Sequence, residues 1–271
     1  MIRFYGIIGA LMILFAQVNF YLKIEPFAQW YFPIIWFGYI FLIDALVYRI
    51  KGKSLIKSNF WWFALILVLS SSCWWVFEYL NRFLGNWLYS GLSGFGSIAN
   101  KNLFATLSFA TVIPAVLETF ELFNCVHLFN HVELKKKHNL TKRFLYTMMI
   151  AGFLCLILTI TFPNYFFPLV WLTFFLILDP FNYMHKHPSI VGHLKDRKLK
   201  IPITLFLAGL TCGILWELWN YWAIPQWHYN VPYVGFFKIF EMPILGYLGY
   251  GPFAFELYAI YYFIRGLFNK N

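Results

Sequence analysis

The sequence predicts an all-α integral membrane protein of eight transmembrane helices, built as two parallel four-helix repeats with both termini in the cytoplasm. Three observations predict it. Apolar stretches of membrane length recur along the chain, basic residues gather in alternate gaps between them, and a set of residues returns after a nearly fixed interval.

Of 271 residues, 61% are hydrophobic, 23% aromatic and only 12% charged, whereas a soluble domain carries about 25% charged residues. Composition therefore excludes a water-soluble domain. A helix crossing a hydrocarbon core of about 30 Å needs about 20 apolar residues. Such stretches lie at Phe4–Leu22, Trp30–Tyr48, Asn59–Asn81, Leu103–Cys125, Phe144–Phe162, Tyr165–Tyr183, Ile201–Trp222 and Pro243–Ile264. The first reads as a membrane helix rather than a signal peptide, because its apolar run is long and no small-residue cleavage pattern follows it.

The net charge of +10 is not one basic patch, which argues against a nucleic-acid partner. With the N-terminus inside, 17 Lys and Arg fall on the inner side and four, Lys23, Arg82, Lys101 and Lys238, on the outer side. Positively charged loops stay in the cytoplasm, so both ends are expected there. Cys73, Cys125, Cys155 and Cys212 all lie within the apolar stretches without metal-type spacing, and read as packing residues.

Self-similarity at a long period comes next. Pro33, Trp36, Asp44, Tyr48 and Ser54 recur 135 positions later as Pro168, Trp171, Asp179, Tyr183 and Ser189. Cys73, Glu78 and Asn81 recur at 139 as Cys212, Glu217 and Asn220; Trp87 and Tyr89 recur at 140 as Trp227 and Tyr229; Pro114 and Glu118 recur at 138 as Pro252 and Glu256. Two repeats, 1–137 and 138–271, together form one integrated membrane domain in this reading. Four spans per copy is an even number, so the copies enter the bilayer with the same orientation, related by an axis along the membrane normal.

Carboxylates in a bilayer are costly and face the protein interior, which makes the repeated acids the candidate site. Asp44 and Asp179 sit near the inner ends of their spans, where pairing with basic loop residues explains them as well as a role in a site does. Tyr48 and Tyr183, four residues on, share the helix face and are expected to hydrogen-bond them. Glu78 and Glu217 sit near the outer ends, each three residues before Asn81 or Asn220 on the same face. A carboxylate beside a carboxamide can accept from and donate to a bound polar group. Trp216, Trp219 and Trp222 surround the second copy's pair, with Trp227 and Tyr229 beyond; an interfacial aromatic belt accounts for most of these rings but not for the repeated Glu and Asn. Glu118 and Glu256 lie deeper, each four residues after a proline, which leaves a carbonyl unpaired one turn earlier and tends to kink its helix. Gly246, Gly249 and Gly251 precede Glu256, suggesting either close helix packing or a discontinuous helix lining a cavity. Glu241 has no acidic counterpart in the first copy, so the active half is expected to be the second.

His127 and His131, and His185 and His187, form pairs without a third ligand at metal spacing, so no metal site is expected. Walker, dinucleotide and nucleophile-elbow patterns do not occur, and no cofactor is expected.

The Trp-Glu-Leu-Trp-Asn-Tyr-Trp-Ala run from Trp216 and the Phe-Glu-Met-Pro-Ile-Leu-Gly-Tyr-Leu-Gly-Tyr-Gly-Pro-Phe-Ala-Phe-Glu run from Phe240 resemble a family of bacterial polytopic membrane proteins without a known activity. The resemblance implies the bacterial inner membrane and carries over no catalytic role.

The leading functional reading is an intramembrane enzyme acting on a lipid or isoprenoid. Glu217, Glu256, Glu78 and Glu118 would be its general acids and bases, Asn220, Asn81, Glu241, Asp44 and Asp179 its polar binding groups, and the tryptophans an aromatic wall. The alternatives are a secondary transporter or proton-coupled carrier using the acids as a ladder across the bilayer, and a lipid-binding or assembly subunit. Membrane lipid or isoprenoid is the expected partner; protein partners are not specified by the sequence.

Overall fold

The computed structural model of the chain describes residues 2–126, 129–136 and 139–268. His127, Lys137 and Lys270, used in the reading of histidines and charge, lie outside the described residues. The described chain is mostly helical. Its helices are, in order, α1 (Phe4–Leu22), α2 (Tyr31–Lys51), α3 (Leu55–Ser58), α4 (Phe60–Leu84), α5 (Ile98–Phe109), α6 (Val112–Cys125), α7 (Lys142–Thr161), α8 (Pro163–Phe166), α9 (Val170–Met184), α10 (Ile190–Lys195), α11 (Lys200–Trp222) and α12 (Tyr250–Phe268). Four short strands accompany them: β1 (Trp87–Ser90), β2 (Gln226–Tyr229), β3 (Lys238–Ile239) and β4 (Met242–Pro243).

Seven described segments are long and apolar enough to cross a membrane: α1, α2, α4, α5 with α6, α7, α8 through α9, and α11. The eighth expected span, Pro243–Ile264, is not among them. Its first residues form β4 and a 3-10 helix over Ile244–Gly249, and α-helix begins only at Tyr250. Gly246, Gly249, Gly251 and Pro252 explain that late start, since glycine and proline both disfavour helix. Within α12 itself, Tyr250, Tyr258, Tyr261, Tyr262, Glu256 and Arg265 make the segment more polar than the others.

The chain divides into two compact units, Met1–Cys125 with Cys212–Ile244, and Val126–Thr211 with Leu245–Asn271. Helix α11 contributes its residues through Thr211 to the second unit and the remainder to the first.

In the first unit α1 packs along α2 through small residues. A Cβ on Gly9 would stand 2.5 Å from the Gly38 carbonyl oxygen, and one on Gly38 2.8 Å from the Gly9 carbonyl oxygen. Only glycine allows the two backbones to approach so closely, which is how helices pack where no water drives them together. Ile35, Trp36, Ile40, Ile66, Phe77 and Ile113 are fully buried in this unit. Side-chain caps start several helices: Asn59 accepts from the Trp62 amide at 3.0 Å, and Ser54 from the Lys57 amide at 3.3 Å.

The α5–α6 span is broken at Ala110–Thr111, and the sequence explains the break. Pro114 has no N–H to offer the Ala110 carbonyl, and its ring would crowd that carbonyl in a continuous helix. A Ser70 hydroxyl from α4 repairs the gap, donating to the Phe109 carbonyl at 2.7 Å and accepting from the Ile113 amide at 3.0 Å. Broken backbone inside a bilayer is tolerated only where such partners exist. The break sets the start of α6, and with it the position of Glu118 one turn past Pro114.

Strands β1 and β2 pair antiparallel, with Trp87 opposite Tyr229, Leu88 opposite His228, Tyr89 opposite Trp227 and Ser90 opposite Gln226. Because side chains alternate along a strand, Trp87, Tyr89, Trp227 and Tyr229 share one face. Leu88, Ser90, Gln226 and His228 share the other. Strands β3 and β4 form a second small hairpin, with Glu241 in its turn.

In the second unit α9 packs against α7 and α12. Gly152 lets α7 lie on α9, where a Cβ would stand 3.0 Å from the Thr173 carbonyl oxygen. Leu205 and Leu257 are fully buried there.

Replacing Ser70 with Ala leaves the Phe109 carbonyl and Ile113 amide unpaired in an apolar interior, at a cost of about 1–3 kcal/mol. Denaturant titration in detergent should show that loss for Ser70→Ala. The Ser72→Ala control, whose hydroxyl only rebonds its own helix at Val68, should stay within about 0.5 kcal/mol of the parent.

Candidate functional site

At the end of α4, Glu78 is answered by three donors. Its Oε1 accepts from Trp74 Nε1 at 3.0 Å, Trp87 Nε1 at 3.0 Å and the Tyr89 hydroxyl at 2.6 Å. Burial, and then the charge of Glu78 beside it, hold the Tyr89 phenol well above its ordinary pKa, so Tyr89 stays a donor. Asn81, one turn on, closes a loop of backbone: its Oδ1 accepts from the Asn86 amide at 2.9 Å and the Trp87 amide at 3.3 Å, and its Nδ2 donates to the Trp87 carbonyl at 2.7 Å.

The end of α11 repeats the arrangement. Glu217 Oε1 accepts from the Tyr229 hydroxyl at 2.8 Å, and that hydroxyl accepts from Trp227 Nε1 at 2.9 Å. Asn220 accepts from the Trp227 amide and donates to its carbonyl, both at 2.8 Å. The polar group that each Asn engages is the chain's own strand. The aromatic face of the β1–β2 ribbon therefore lies against the two glutamates, and the carboxamides pin each strand to the helix before it.

Among the predicted aromatic wall, Trp216 and Trp219 are buried and pack on Trp36, with ring centroids 5.4 and 4.7 Å apart. Trp222 is exposed and touches Phe20. Glu241 is set apart from these rings, 3.2 Å from His228 Nδ1 and 3.7 Å from Lys238 Nζ.

Each repeated Asp is met by backbone N–H from the short helix that follows its own, α3 for Asp44 and α10 for Asp179. Asp179 accepts from Ile190 N at 2.7 Å and Val191 N at 2.9 Å. Asp44 accepts from Ile56 N at 2.8 Å, and its Oδ2 also accepts from the Tyr5 hydroxyl at 2.6 Å and the Ser54 hydroxyl at 2.8 Å. Tyr48 and Tyr183, expected to serve the carboxylates, instead accept from Arg3 and Lys195, each at 2.7 Å. The basic groups near the helix ends draw the phenols away.

The two deep glutamates differ. Glu256 Oε1 accepts from the Phe174 amide in the first turn of α9 at 2.7 Å, and its Oε2 has no partner among the described residues. Glu118 is 1% exposed, and neither of its oxygens meets a donor among the described residues. The Asp44 carboxyl of α2 is near enough to act on its charge. One turn toward the helix end, Glu121 pairs with Lys51 of α2, and both are partly open to the surroundings. Beside Glu118, the Thr119 hydroxyl meets the Tyr39 hydroxyl at 2.7 Å and Cys212 Sγ at 3.3 Å.

The acids thus fall into two kinds. Glu78, Glu217, Asp44 and Asp179 hold local structure through donors of this chain. Glu118 is buried, without a donor among the described residues, and placed against another acid. The sequence marks Glu118 through its repeat and its proline; the approach of α2 to α6 that sets it against Asp44 is a tertiary contact without a local signature. Comparisons with protein-family models, with curated proteins and with solved structures find no match to the chain.

Asn220→Ala should free β2 at Trp227, losing two hydrogen bonds at a cost of about 1–3 kcal/mol. Hydrogen exchange in detergent should then register at least about tenfold faster exchange at the Trp227 amide, a decade corresponding to about 1.4 kcal/mol.

Proposed function

We propose that the chain is a proton-coupled membrane carrier, with the Asp44–Glu118 pair as the group that takes up and releases the coupling proton. The observation that carries this reading is the contrast within the pair. Asp44 has three donors and Glu118 has none among the described residues, yet both are buried and near enough for their charges to interact. Two carboxylates so placed cannot both be charged, and one shared proton resolves the conflict. Asp44, held by its donors, is the fixed acceptor, and Glu118 is the group free to exchange.

The neighbouring residues suit a route for that proton. Glu121 and Lys51 stand one turn from Glu118, partly open to the surroundings. Intramembrane acids connected to a boundary in this way are the usual elements of proton relays. Glu118 also follows the proline break between α5 and α6, and interrupted helices are where carriers commonly build ion and substrate sites.

The reading takes α12 as the eighth span and treats the halves as parallel repeats, a symmetry that suits alternating access. It puts both ends in the cytoplasm, supported by 17 Lys and Arg on one side against four on the other. The Asp44–Glu118 pair then sits in the inner half of a bacterial inner-membrane protein.

An enzyme using carboxylate acid/base chemistry on a lipid or isoprenoid is a second reading. The ring cluster of Trp36, Tyr39, Trp216 and Trp219 favours it, since such rings stabilise a cationic intermediate. It requires Glu217 to give up the Tyr229 hydroxyl, so Glu217→Gln should change the cellular lipid profile if it holds.

The carrier reading is tested in proteoliposomes loaded with a small-metabolite extract and given an imposed pH gradient. The parent chain should dissipate the gradient faster than protein-free vesicles, and Glu118→Gln should slow it at least about tenfold, the loss of about 1.4 kcal/mol from the limiting barrier. Dissipation no faster than in protein-free vesicles, or unchanged in Glu118→Gln, would contradict it.

A further inference from the structure

The outward face of the β1–β2 ribbon carries residues that the aromatic pattern does not repeat. Ser90 corresponds, 140 positions on, to Asn230, and His228 corresponds to Leu88. With Glu241 they make a polar set found in one place only. Ser90 Oγ lies 2.8 Å from His228 Nε2, and His228 Nδ1 lies 3.2 Å from Glu241 Oε2.

This is the order of contacts that activates a serine: nucleophile, base, and a carboxylate that orients the base. With a carboxylate at Nδ1, that nitrogen carries the ring proton and Nε2 is left as the acceptor. The Gln226 carboxamide nitrogen lies 3.1 Å from the same Nε2, whose one lone pair takes one donor at a time, Ser90 being the nearer. Lys238, 3.7 Å from Glu241, lies on the carboxylate side. The Ser90 side chain is exposed and the His228 side chain is 40% exposed, so a substrate can reach both. Glu241 is only 16% exposed, as an orienting carboxylate should be.

We propose that Ser90, His228 and Glu241 form a hydrolytic site for a carboxylic ester with a long acyl chain, such as a membrane lipid ester. Ser90 Oγ attacks the ester carbonyl carbon while its proton passes to His228 Nε2. The tetrahedral adduct collapses with cleavage of the bond to the alcohol oxygen, which takes the proton from Nε2 and departs. A water then attacks the acyl-Ser90 carbonyl, again giving its proton to Nε2. Cleavage of the acyl bond returns that proton to Ser90 and releases the carboxylic acid. The sum is ester plus water to acid plus alcohol.

The acyl preference follows from the exposed apolar side chains nearby in the ribbon and hairpin. Leu88, opposite His228 on the same face, is 60% exposed, and Phe237 and Ile239, close to Glu241 in the chain, are 79% and 50% exposed. Large apolar groups left open around a polar centre favour a ligand with an apolar tail. The site uses neither Asp44 nor Glu118, so its activity and the proton-coupled role stand or fall separately.

The full chain in detergent micelles is treated with a fluorophosphonate probe and, separately, with p-nitrophenyl acetate and decanoate. The expected result is covalent labelling at Ser90 and faster turnover of the decanoate. Ser90→Ala should abolish both. His228→Gln and Glu241→Gln should lower kcat by at least about a hundredfold, within the range seen when members of such triads are removed. Each variant is first shown to keep the parent's helical circular dichroism and single elution peak. Labelling elsewhere or not at all in folded parent protein would overturn the proposal, as would ester turnover that persists in folded Ser90→Ala.

Discussion

A carboxylate withdrawn from water must be met by donors, by an opposite charge or by a proton, and this constraint organises much of the chain. For four of the repeated acids at least one donor comes from the segment that follows the acid's own helix. Glu78 draws in Trp87 and Tyr89 of β1, and Glu217 draws in Tyr229 of β2. Asp179 draws in the amides of Ile190 and Val191 at the start of α10, and Asp44 draws in the Ile56 amide and the Ser54 hydroxyl at the start of α3. In each case an acid on a long helix determines the path of the backbone after it. The repeated acids are in large part a repeated means of fastening loops to helices.

Against that background Glu118 stands out by what it lacks. The proline break that begins α6 is stabilised by Ser70, while the Glu118 carboxyl meets no donor among the described residues. Its partner Asp44 already has its donors. Glu256, its counterpart 138 residues later, takes a backbone amide at the start of α9, and no second acid acts on it among the described residues. Corresponding residues thus have different chemical environments, and it is the first of them that is charged with the electrostatic conflict. Glu241, the acid without a counterpart, belongs to a different feature, the outward face of the ribbon.

The long helices were legible because a stretch of about 20 apolar residues has few alternatives to a membrane span. Pro114 signals a kink in the fourth span, and the structure goes further, ending α5 at Phe109 and starting α6 at Val112. The eighth segment was legible as apolar, but its glycines and prolines postpone the helix to Tyr250, and only the local backbone geometry settles where it begins. The ribbon was hidden for another reason. Its strands are four residues long, too short for a periodic signal, although Trp87 and Tyr89, and Trp227 and Tyr229, do alternate as a strand face should. Asn81 and Asn220 are expected from the sequence to engage a bound polar group; in the structure they hold the backbone at Trp87 and Trp227, which a carboxamide three residues past a glutamate serves as readily as a ligand. Ser90 and His228 are 138 residues apart and meet only through strand pairing, so no local motif announced them.

The most direct measurement of the central claim is the protonation state of the Asp44–Glu118 pair, read by infrared spectroscopy of the purified chain at neutral pH. The parent should show the carbonyl stretch of a protonated carboxylic acid, shifted on exchange into deuterium oxide and removed by Glu118→Gln. A spectrum without that band, or one in which Glu118→Gln leaves it unchanged, would contradict the account.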